Sequence, residues 1–394
     1  MYEYELEQLT NLYRKGLFSK PYYNKRIKGE KSFSSYEEFR KIPLMEKQSI
    51  RDTAVFDRTN TSLNDVYGIF SSSGTTGDKT FYVYNKNDKA VHDEFVKTFF
   101  EELGITSMDI GGVMAPVGTG VMAHTMLWEF NTVGAGYINC PEPTPYNMIE
   151  IVEKVPVTVL ATRPNIASTI AYFPEFRSRA RGSKVKKLVV GGGFLSESRR
   201  KIIEDSWDAE CFNCFGMSEM FGPMAAECHE KNGLHYLDRY LMIELLDPLT
   251  KEPVPEGHPG IAVYTTLWEK GFPLLRYWTD DLMIIDKTPC KCGSFTPRIY
   301  YLGRLADCFN IEGKYIFPEQ VEDILFKNEL IGEYKVVQKN EKFMIYTENS
   351  NPIDTANVLK DFEKLFPHNR VSVIQVPIGE LNYKGFGKRF ESES

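Results

Sequence analysis

The most chemically distinctive run of the sequence is residues 71–80, where hydroxyl side chains alternate with glycines in Ser-Ser-Ser-Gly-Thr-Thr-Gly-Asp-Lys-Thr. Gly74 and Gly77 can adopt positive φ and let the backbone approach a ligand closely. Exposed amides and hydroxyls in such a loop form a concave donor surface that suits a polyphosphate. Apolar segments at residues 66–70 and 81–84 flank the run, so the pattern predicts a strand, a loop and a second strand.

Two other interpretations of this run fit less well. A flexible Ser/Gly linker is disfavoured because apolar segments flank the run closely and Lys79 lies inside it. The P-loop of nucleotide hydrolases needs four residues between its glycines and then Gly-Lys-Ser/Thr opening a helix. Here two residues separate the glycines, Asp78 follows the second one, and the next residues favour a strand. The spacing therefore excludes a P-loop.

Three cysteines and one histidine form a second candidate for chemistry. Six residues separate Cys228 from His235, and one residue separates Cys290 from Cys292. Soft thiolates with one imidazole suit tetrahedral Zn²⁺ in a closed, structural site. On the residues alone, four unrelated side chains are an equally good interpretation, so both stay open at this point.

The elements that must position these residues follow an α/β pattern. Apolar runs at residues 111–116, 157–161 and 185–190 predict buried strands with helices between them, and residues 261–267 predict another strand. Strands separated by helices predict parallel-rich sheets covered by helices. Gly191, Gly192 and Gly193 join one of these strands to a helix predicted at residues 197–207. Glycines there let a flat ligand lie against the backbone.

Beyond residue 304 the pattern predicts a smaller α+β unit. Its helices and strands are expected at residues 318–327, 334–339, 343–346, 355–366 and 371–376. About 90 residues are enough for an independent domain. We therefore predict a large N-terminal domain, residues 1–304, and a small C-terminal domain, residues 305–394.

Composition limits the classes of function. With 42% hydrophobic and 26% charged residues, the chain is typical of a globular protein, and its formal net charge of −7 argues against a nucleic-acid surface. No apolar run approaches the ~18 residues of a membrane span. Residues 1–7 have neither the basic start nor the apolar core of a signal peptide. Seven cysteines, an odd number, favour a reducing compartment, so we expect a cytoplasmic protein.

The hydroxyl-rich run has a form found in a known family. Residues 72–77 resemble the phosphate loop of adenylate-forming enzymes, the superfamily of acyl-CoA synthetases, peptide-synthetase adenylation domains and luciferases. Two serines before Gly-Thr-Thr-Gly are most similar to the phenylacetate–CoA ligase branch. Members of that branch often carry Glu-Cys before Gly-Leu-His and a later Pro-Cys-x-Cys-Gly, which residues 227–235 and 289–293 resemble. This resemblance favours the zinc interpretation of the cysteines and histidine.

Further motifs follow in the order of the family. Residues 215–219, Phe-Gly-Met-Ser-Glu, resemble its Tyr-Gly-x-Ser/Thr-Glu motif, with Phe in place of Tyr. Residues 276–281, Arg-Tyr-Trp-Thr-Asp-Asp, resemble Arg-Tyr-x-Thr-Gly-Asp, with Asp280 in place of the glycine. Residues 301–308 resemble the hinge between the two domains of the family, where Ala306 stands at the usual aspartate.

The end of the chain resembles the mobile lid of the same family. Gly387-Lys388 is similar to the terminal Gly-Lys motif, which supplies the catalytic lysine. Lys384 is the alternative lysine. The resemblance therefore implies that the small C-terminal domain moves and delivers a lysine to the reacting phosphate.

The resemblance implies a role for each group of residues. Those implied to contact ATP or AMP are Ser72, Ser73, Gly74, Gly77, Lys79, Gly192, Gly193, Phe215, Gly216, Ser218, Asp281 and Arg304. Those implied to be catalytic are Thr75, Thr76, Glu219 and Lys388. Those implied to line an acid pocket are Met122, His124, Trp128, Gly191 and Met217. As a hard oxygen ligand, Glu219 is also implied to hold Mg²⁺.

The implied reaction has two halves. A carboxylic acid attacks the α-phosphate of MgATP to give an acyl-adenylate and pyrophosphate, and the thiol of coenzyme A then displaces AMP. Aromatic and apolar residues at 122–130 favour an aryl or medium-length acid. Two alternatives remain: transfer of the acyl group to a carrier protein or an amine, and a non-catalytic nucleotide-binding protein with the same fold. A homodimer is compatible with the sequence, which does not fix the oligomeric state.

Overall fold

The structure is a computed structural model of the chain, and it describes residues 2–27, 33–72, 79–311, 314–328, 332–339, 342–349, 353–366, 370–381 and 390–393. Its α-helices are α1 (Glu3–Arg14), α2 (Pro21–Ile27), α3 (Tyr36–Phe39), α4 (Lys47–Arg51), α5 (Lys86–Glu102), α6 (Val121–Thr132), α7 (Pro145–Lys154), α8 (Pro164–Ser168), α9 (Pro174–Arg181), α10 (Glu197–Trp207), α11 (Pro318–Lys327) and α12 (Thr355–Leu365).

Its strands are β1 (Val66–Ser71), β2 (Phe81–Asn85), β3 (Ile110–Met114), β4 (Gly136–Cys140), β5 (Val159–Thr162), β6 (Lys187–Gly191), β7 (Glu210–Met217), β8 (Gly222–Glu227), β9 (Leu234–Tyr236), β10 (Leu241–Leu246), β11 (Gly260–Thr266), β12 (Tyr277–Asp286), β13 (Arg298–Arg304), β14 (Phe309–Ile311), β15 (Lys314–Ile316), β16 (Tyr334–Lys339), β17 (Lys342–Glu348), β18 (Arg370–Val376) and β19 (Phe390–Glu393).

The chain divides into two compact units. The first comprises Met1–Gly104, Val117–Val133 and Cys214–Tyr301, and the second comprises Ile105–Pro116, Gly134–Asn213 and Leu302–Ser394. These units are defined by compactness and not by movement. The division into a large domain, residues 1–304, and a mobile small domain, residues 305–394, therefore stays a prediction.

In the first unit, the two predicted strands around the hydroxyl-rich run are confirmed. They are β1 and β2, which form an antiparallel hairpin with Ser71 opposite Phe81. The unit also contains strands in the order β10-β11-β12-β13-β9-β8-β7, with β7 entering it at Cys214. The apolar core beneath them includes Met45, Phe272 and Leu274, none of which is exposed.

Another predicted strand of this unit is confirmed, and it is antiparallel to its neighbours. The predicted strand at residues 261–267 is β11, and it is antiparallel to both β10 and β12. A parallel neighbour needs a crossover connection of roughly a dozen residues or more, usually a helix. The connections on either side of β11 contain no helix. The sheets of the protein are therefore mixed.

In the second unit, the expectation of parallel strands is confirmed. β3 pairs parallel to β4 and β5, and β5 pairs parallel to β6. Helices alternate with these strands, and side chains from both, such as Leu160, Leu188 and Trp207, form a buried core. Parallel strands that are covered on both faces appear in a sequence as continuous apolar runs, which is why these strands could be predicted.

The predicted small α+β arrangement at the end of the chain is also confirmed. Its strands have the order β18-β17-β16-β19, with β16 and β17 antiparallel and both outer pairs parallel. α11 and α12 contribute to its apolar core. Within the second unit, α10 and α11 are joined by a fully buried ion pair, in which Arg199 Nη2 lies 2.9 Å from Glu322 Oε1.

Membrane insertion through a helix finds no support in this fold. Within the described ranges, every helix is too short or too polar to cross a bilayer.

Candidate active site

Hydrogen bonds hold together the two ends of the hydroxyl-rich loop. Ser72 N–H donates to the carbonyl of Thr80 at 2.8 Å, and Thr80 N–H donates to Ser72 Oγ at 3.1 Å. Ser71 N–H donates to the carbonyl of Thr119 at 2.7 Å, and Lys79 Nζ donates to Thr119 Oγ1 at 2.9 Å. Five of the residues assigned to the loop, Ser73, Gly74, Thr75, Thr76 and Gly77, lie outside the described residues.

A buried carboxylate, Glu219, lies in the same unit. Its Oε1 accepts hydrogen bonds from the hydroxyl groups of Tyr82 at 2.9 Å and Tyr277 at 3.0 Å. Burial, and then the charge of Glu219, raise the pKa of both tyrosines well above the ordinary value, so both remain donors at neutral pH. Glu219 Oε2 accepts no hydrogen bond from the part of the chain that the structure describes. That oxygen is the one able to bind a cation.

The residue before Glu219 is fixed through its main chain. The Tyr84 hydroxyl donates to the carbonyl of Ser218. Gly216 is required at its position in β7, because a Cβ atom there would lie 2.1 Å from the carbonyl oxygen of Gly222 in β8. Close pairing of β7 and β8 therefore explains the glycine of the Phe-Gly-Met-Ser-Glu motif.

Asp281 and Phe215 are brought together by a residue that the sequence analysis did not single out. The ring of Tyr301 packs against the ring of Phe215, with centroids 5.0 Å apart, and its hydroxyl donates to Asp281 Oδ1 at 3.4 Å. Asp281 is buried. The aromatic ring of one motif and the carboxylate of another thus share one partner.

Asp280 adopts the backbone conformation that its motif requires. Its φ is 65°, in the left-handed region that favours glycine. Aspartate tolerates this region better than most side chains, because its short polar group bonds locally. Here the Trp278 indole N–H donates to Asp280 Oδ1. The exchange of glycine for aspartate therefore keeps a glycine-like backbone.

Two of the residues proposed for the acid pocket lie in a group of rings that we name the aromatic cluster: Tyr67, Phe70, His124, Trp128 and Phe221. His124 packs between Phe70 and Trp128, with centroid distances of 5.1 and 5.8 Å. Its Nε2 lies 2.9 Å from the carbonyl oxygen of Gly118. Met122 and Met217 are half-buried in the same unit.

Phe221 was missed because its main feature is conformational. Its φ is 74°, which is uncommon for a bulky residue, and its ring packs against those of Trp128, Tyr67 and Tyr84. Such strain persists only where the surroundings hold it, and it concentrates at functional sites. A positive φ at a phenylalanine cannot be recognised from the residue types around it, so the sequence offers no reason to select Phe221.

The remaining candidate residues belong to the second unit. Gly191 ends β6 and is buried, and Gly192 has a φ of 69°. A Cβ atom on Gly193 would lie 3.3 Å from Pro164 Cδ, so this glycine permits a close approach to α8. Arg304 is exposed at the end of β13. Lys388 lies outside the described residues.

Cys228, His235, Cys290 and Cys292 come together in the first unit as a group that we name the Cys–His cluster. One ligand atom from each lies within 4.8 Å of the others. Cys228 Sγ is 3.9 Å from Cys290 Sγ, and Cys292 Sγ is 3.5 Å from His235 Nε2. Tetrahedral Zn²⁺ with ordinary bond lengths would place two sulfurs about 3.8 Å apart, and a sulfur and a nitrogen about 3.5 Å apart.

The orientation of His235 suits the same ion. Its Nδ1 lies 2.9 Å from Thr296 Oγ1 and 3.1 Å from the Thr296 carbonyl oxygen. A proton donated from Nδ1 leaves the Nε2 lone pair directed at the cysteines, which is the usual arrangement of a metal-binding histidine. The residues present therefore fit a structural zinc ion.

The fold is α/β, and its first unit holds a buried carboxylate, Glu219, against the strand that follows the hydroxyl-rich run. A family model described as AMP-binding enzyme matches residues 24–265, and the chain belongs to this family.

Relatives of known activity narrow the class. The chain is 32% identical over 330 residues to a phenylacetate-coenzyme A ligase of Thermus thermophilus, covering 79% of this chain and 71% of that protein. It is 26% identical over 317 residues to the phenylacetate-coenzyme A ligase of Escherichia coli, with the same coverage. A crystal structure of 2-hydroxyisobutyryl-CoA ligase in the postadenylation state, in complex with R3-HIB-AMP, has a TM-score of 0.82. It is 20% identical and covers 98% of this chain and 88% of that one.

Proposed function

We propose that this protein is an AMP-forming acid–thiol ligase. It activates a carboxylic acid with ATP to an acyl-adenylate and transfers the acyl group to coenzyme A, releasing AMP and pyrophosphate. The observation that carries the proposal is that two tyrosine hydroxyls tie Glu219 to β2, the strand after the hydroxyl-rich loop, and to β12, the strand that carries Asp281. It is supported by family membership and by the 32% identity to a phenylacetate-coenzyme A ligase.

On the phosphate side, the chain supplies positioning and charge. We assign the β- and γ-phosphates to Lys79, Thr75 and Thr76, and the α-phosphate to Ser218. Glu219, through Oε2, is the carboxylate that would hold Mg²⁺. When bound, that ion would neutralise the charge of the phosphates. Nucleotidyl transfer depends mainly on such positioning and neutralisation, and little on covalent help from the protein.

On the nucleoside side, a carboxylate and glycines provide the contacts. Asp281 accepts hydrogen bonds from the ribose hydroxyls, and Phe215 and Gly216 border the base. The resemblance also implies nucleotide contacts for Gly192, Gly193 and Arg304, and for Ser72, Ser73, Gly74 and Gly77 of the loop, and these contacts stay predictions. A buried carboxylate that binds two hydroxyls fixes the orientation of the sugar, since both of its oxygens can accept.

The aromatic cluster favours an aryl acid. The half-buried rings of Phe70 and Trp128, which pack against the buried ring of Phe221, offer flat apolar surface. Aromatic pairs gain about 0.5–1.5 kcal/mol beyond the burial of their area. We assign the acid pocket to His124, Trp128, Met122 and Met217, and a contact of Gly191 with the acid stays a prediction. A medium-length acyl chain is the second candidate for the same surface.

The Cys–His cluster is proposed to hold a structural Zn²⁺. Support comes from the ligand distances and from the orientation of His235. The ion would tie the segment after β8 to the segment after β12, and so hold Glu219 and Asp281 in register.

A cytoplasmic location, a carrier-protein acceptor and a homodimer stay predictions.

Pyrophosphate exchange into ATP, measured over a panel of carboxylic acids, tests the proposal. We expect exchange that depends on an aryl or medium-length acid, followed by thioester formation when coenzyme A is added. Product analysis with a carrier protein or an amine identifies the alternative acceptors. A protein that binds ATP but exchanges with none of the acids would be the non-catalytic alternative.

Lys388 has a test of its own. Removing a cation that stabilises the transition state costs roughly 3 kcal/mol, about a hundredfold in rate. We expect Lys388→Ala to slow adenylation by about that factor and to spare thioester formation from premade acyl-adenylate. Lys384→Ala is the comparison variant, because Lys384 is the alternative lysine: it should retain both steps, and a loss of adenylation in Lys384→Ala alone would move the role to Lys384. Equal loss of both steps in Lys388→Ala would reject the role.

A further inference from the structure

The Glu219 carboxylate lies where three segments of the first unit meet. Tyr82 is in β2, the strand that follows the hydroxyl-rich loop, and Tyr277 begins β12, the strand that carries Asp281. Both hydroxyl groups donate to the same oxygen of Glu219, Oε1, although Tyr82 and Tyr277 are 137 and 58 residues away from Glu219 in the chain. One carboxylate oxygen therefore connects the phosphate loop to the ribose strand.

The two oxygens of Glu219 differ in their hydrogen-bond partners. Oε1 accepts two hydrogen bonds, whereas Oε2 accepts none from the described residues, although only 6% of the residue is exposed. No described residue donates to Oε2, so this oxygen is available to a ligand, and a carboxylate oxygen is the kind of ligand that Mg²⁺ prefers. The two tyrosines thus hold one oxygen of the carboxylate and leave the other for a cation.

The strand that supplies Tyr82 is held in place by packing and by a further hydrogen bond. Tyr82 is fully buried, and the Arg58 guanidinium lies over its ring at 5.6 Å from the centroid. Tyr84, two residues along the same strand and on the same face, donates to the carbonyl of Ser218. Glutamate has three rotatable side-chain bonds, and a carboxylate held at one oxygen and at the neighbouring carbonyl loses most of that freedom.

We infer that Tyr82 and Tyr277 are positioning residues for the divalent cation that accompanies ATP. By holding Oε1, they orient Oε2 toward the cation, and they couple its binding to the loop strand and the ribose strand. The inference rests on the proposed function and deepens it, since it assigns a role to Tyr82 and to Tyr277, the tyrosine of the Arg-Tyr-Trp-Thr-Asp-Asp motif, neither of which was among the predicted site residues. Neither tyrosine contacts the reacting atoms.

The test compares Tyr82→Phe and Tyr277→Phe with the unchanged protein. Each change removes one hydroxyl and keeps the ring. Loss of a partner that orients a metal ligand typically costs about 10-fold to 100-fold in metal affinity. We expect the Mg²⁺ concentration for half-maximal pyrophosphate exchange to rise by about 10-fold or more, with the rate restored at saturating Mg²⁺. Mn²⁺ binding in the presence of ATP, followed by electron paramagnetic resonance, should weaken in parallel without any turnover.

Tyr23→Phe is the matched control. Tyr23 is equally buried, and its hydroxyl donates to the carbonyls of Arg58 and Pro273 and not to Glu219. It should lose stability comparably but leave the Mg²⁺ dependence unchanged. Glu219→Gln, which removes the charge itself, sets the largest expected loss of Mn²⁺ affinity.

The outcomes separate the inference from the function on which it rests. Unchanged Mg²⁺ and Mn²⁺ dependence in both tyrosine variants, with the unchanged protein active and Glu219→Gln impaired, would overturn the positioning role alone. Absence of exchange and of Mn²⁺–ATP binding in the unchanged protein would overturn the proposed function, and the positioning role with it. A Tyr23→Phe variant with the same altered Mg²⁺ dependence would show that the effect is a general loss of stability.

Discussion

Two regions of the first unit could each bind a metal ion, and they are built in opposite ways. The Cys–His cluster places four soft ligand atoms within 4.8 Å of one another. At Glu219 the chain presents one hard oxygen, while the other oxygen is held by two tyrosines. The first arrangement completes a tetrahedron from the protein alone, whereas the second leaves most positions around a cation for phosphate and water.

The difference separates a structural role from a catalytic one. A closed site stabilises the fold, because its metal bonds form only when distant segments come together. An open site contributes little to folding and much to a reaction, because substrate atoms complete it. The two regions should therefore respond oppositely to substitution: stability changes at the cluster, and rate changes at Glu219.

The largest expected effect is at the Cys–His cluster. Protein purified without added metal should contain about one equivalent of zinc, and Cys290→Ser should lose the metal and melt at a markedly lower temperature. Structural zinc contributes on the order of 10 kcal/mol to the folding of small domains. Metal analysis and thermal unfolding, with and without a chelator, measure this.

Cys140→Ser is the control for this substitution. Cys140 is buried but lies outside the cluster, so its replacement should reduce stability moderately and leave the zinc content unchanged. Protein that contains no zinc before any chelator is added would contradict the structural role.

The next largest effect is at Glu219. Glutamine keeps an oxygen that can accept from Tyr82 and Tyr277 but removes the charge, so Glu219→Gln should slow adenylation by about 100-fold or more. Exchange assays at saturating Mg²⁺ measure the rate. Zinc content and melting temperature should stay close to those of the unchanged protein. A loss of zinc in this variant would show that the two regions are not independent.

The smallest expected effect is on the free energy of unfolding, at Asp280 in the strand that carries Asp281. Because Asp280 has a positive φ, a β-branched residue there is strained, and Asp280→Val should lower the free energy of unfolding by about 1–2 kcal/mol. Asp280→Gly is the matched variant, which tolerates the conformation and should be nearly neutral. Denaturant unfolding measures both. Equal destabilisation by valine and glycine would point to the side-chain hydrogen bond with Trp278 instead of the backbone.

The motifs could be found in the sequence because each is short and local. Residues 71–80 carry their hydroxyls and glycines in one run, and the strands that flank them are apolar runs of the expected length. The cysteines were visible as candidates for the same reason, but their partnership was not. Cys228 and Cys290 are 62 residues apart, and only the fold brings their sulfurs to 3.9 Å.

The order of residues establishes the kind of chemistry: a donor-rich loop, a carboxylate in the Phe-Gly-Met-Ser-Glu motif, and an α/β order of strands and helices. The orientation of the side chains depends on the folded chain. Tyr82 and Phe221 belong to no motif, and Tyr277 and Tyr301 belong to motifs that assign them no contact. The contacts of the three tyrosines join distant parts of the chain, and Phe221 is marked by its positive φ. The sequence specifies the type of each side chain. The direction in which a carboxylate or imidazole presents its lone pairs depends on hydrogen-bond partners that are brought near only by folding.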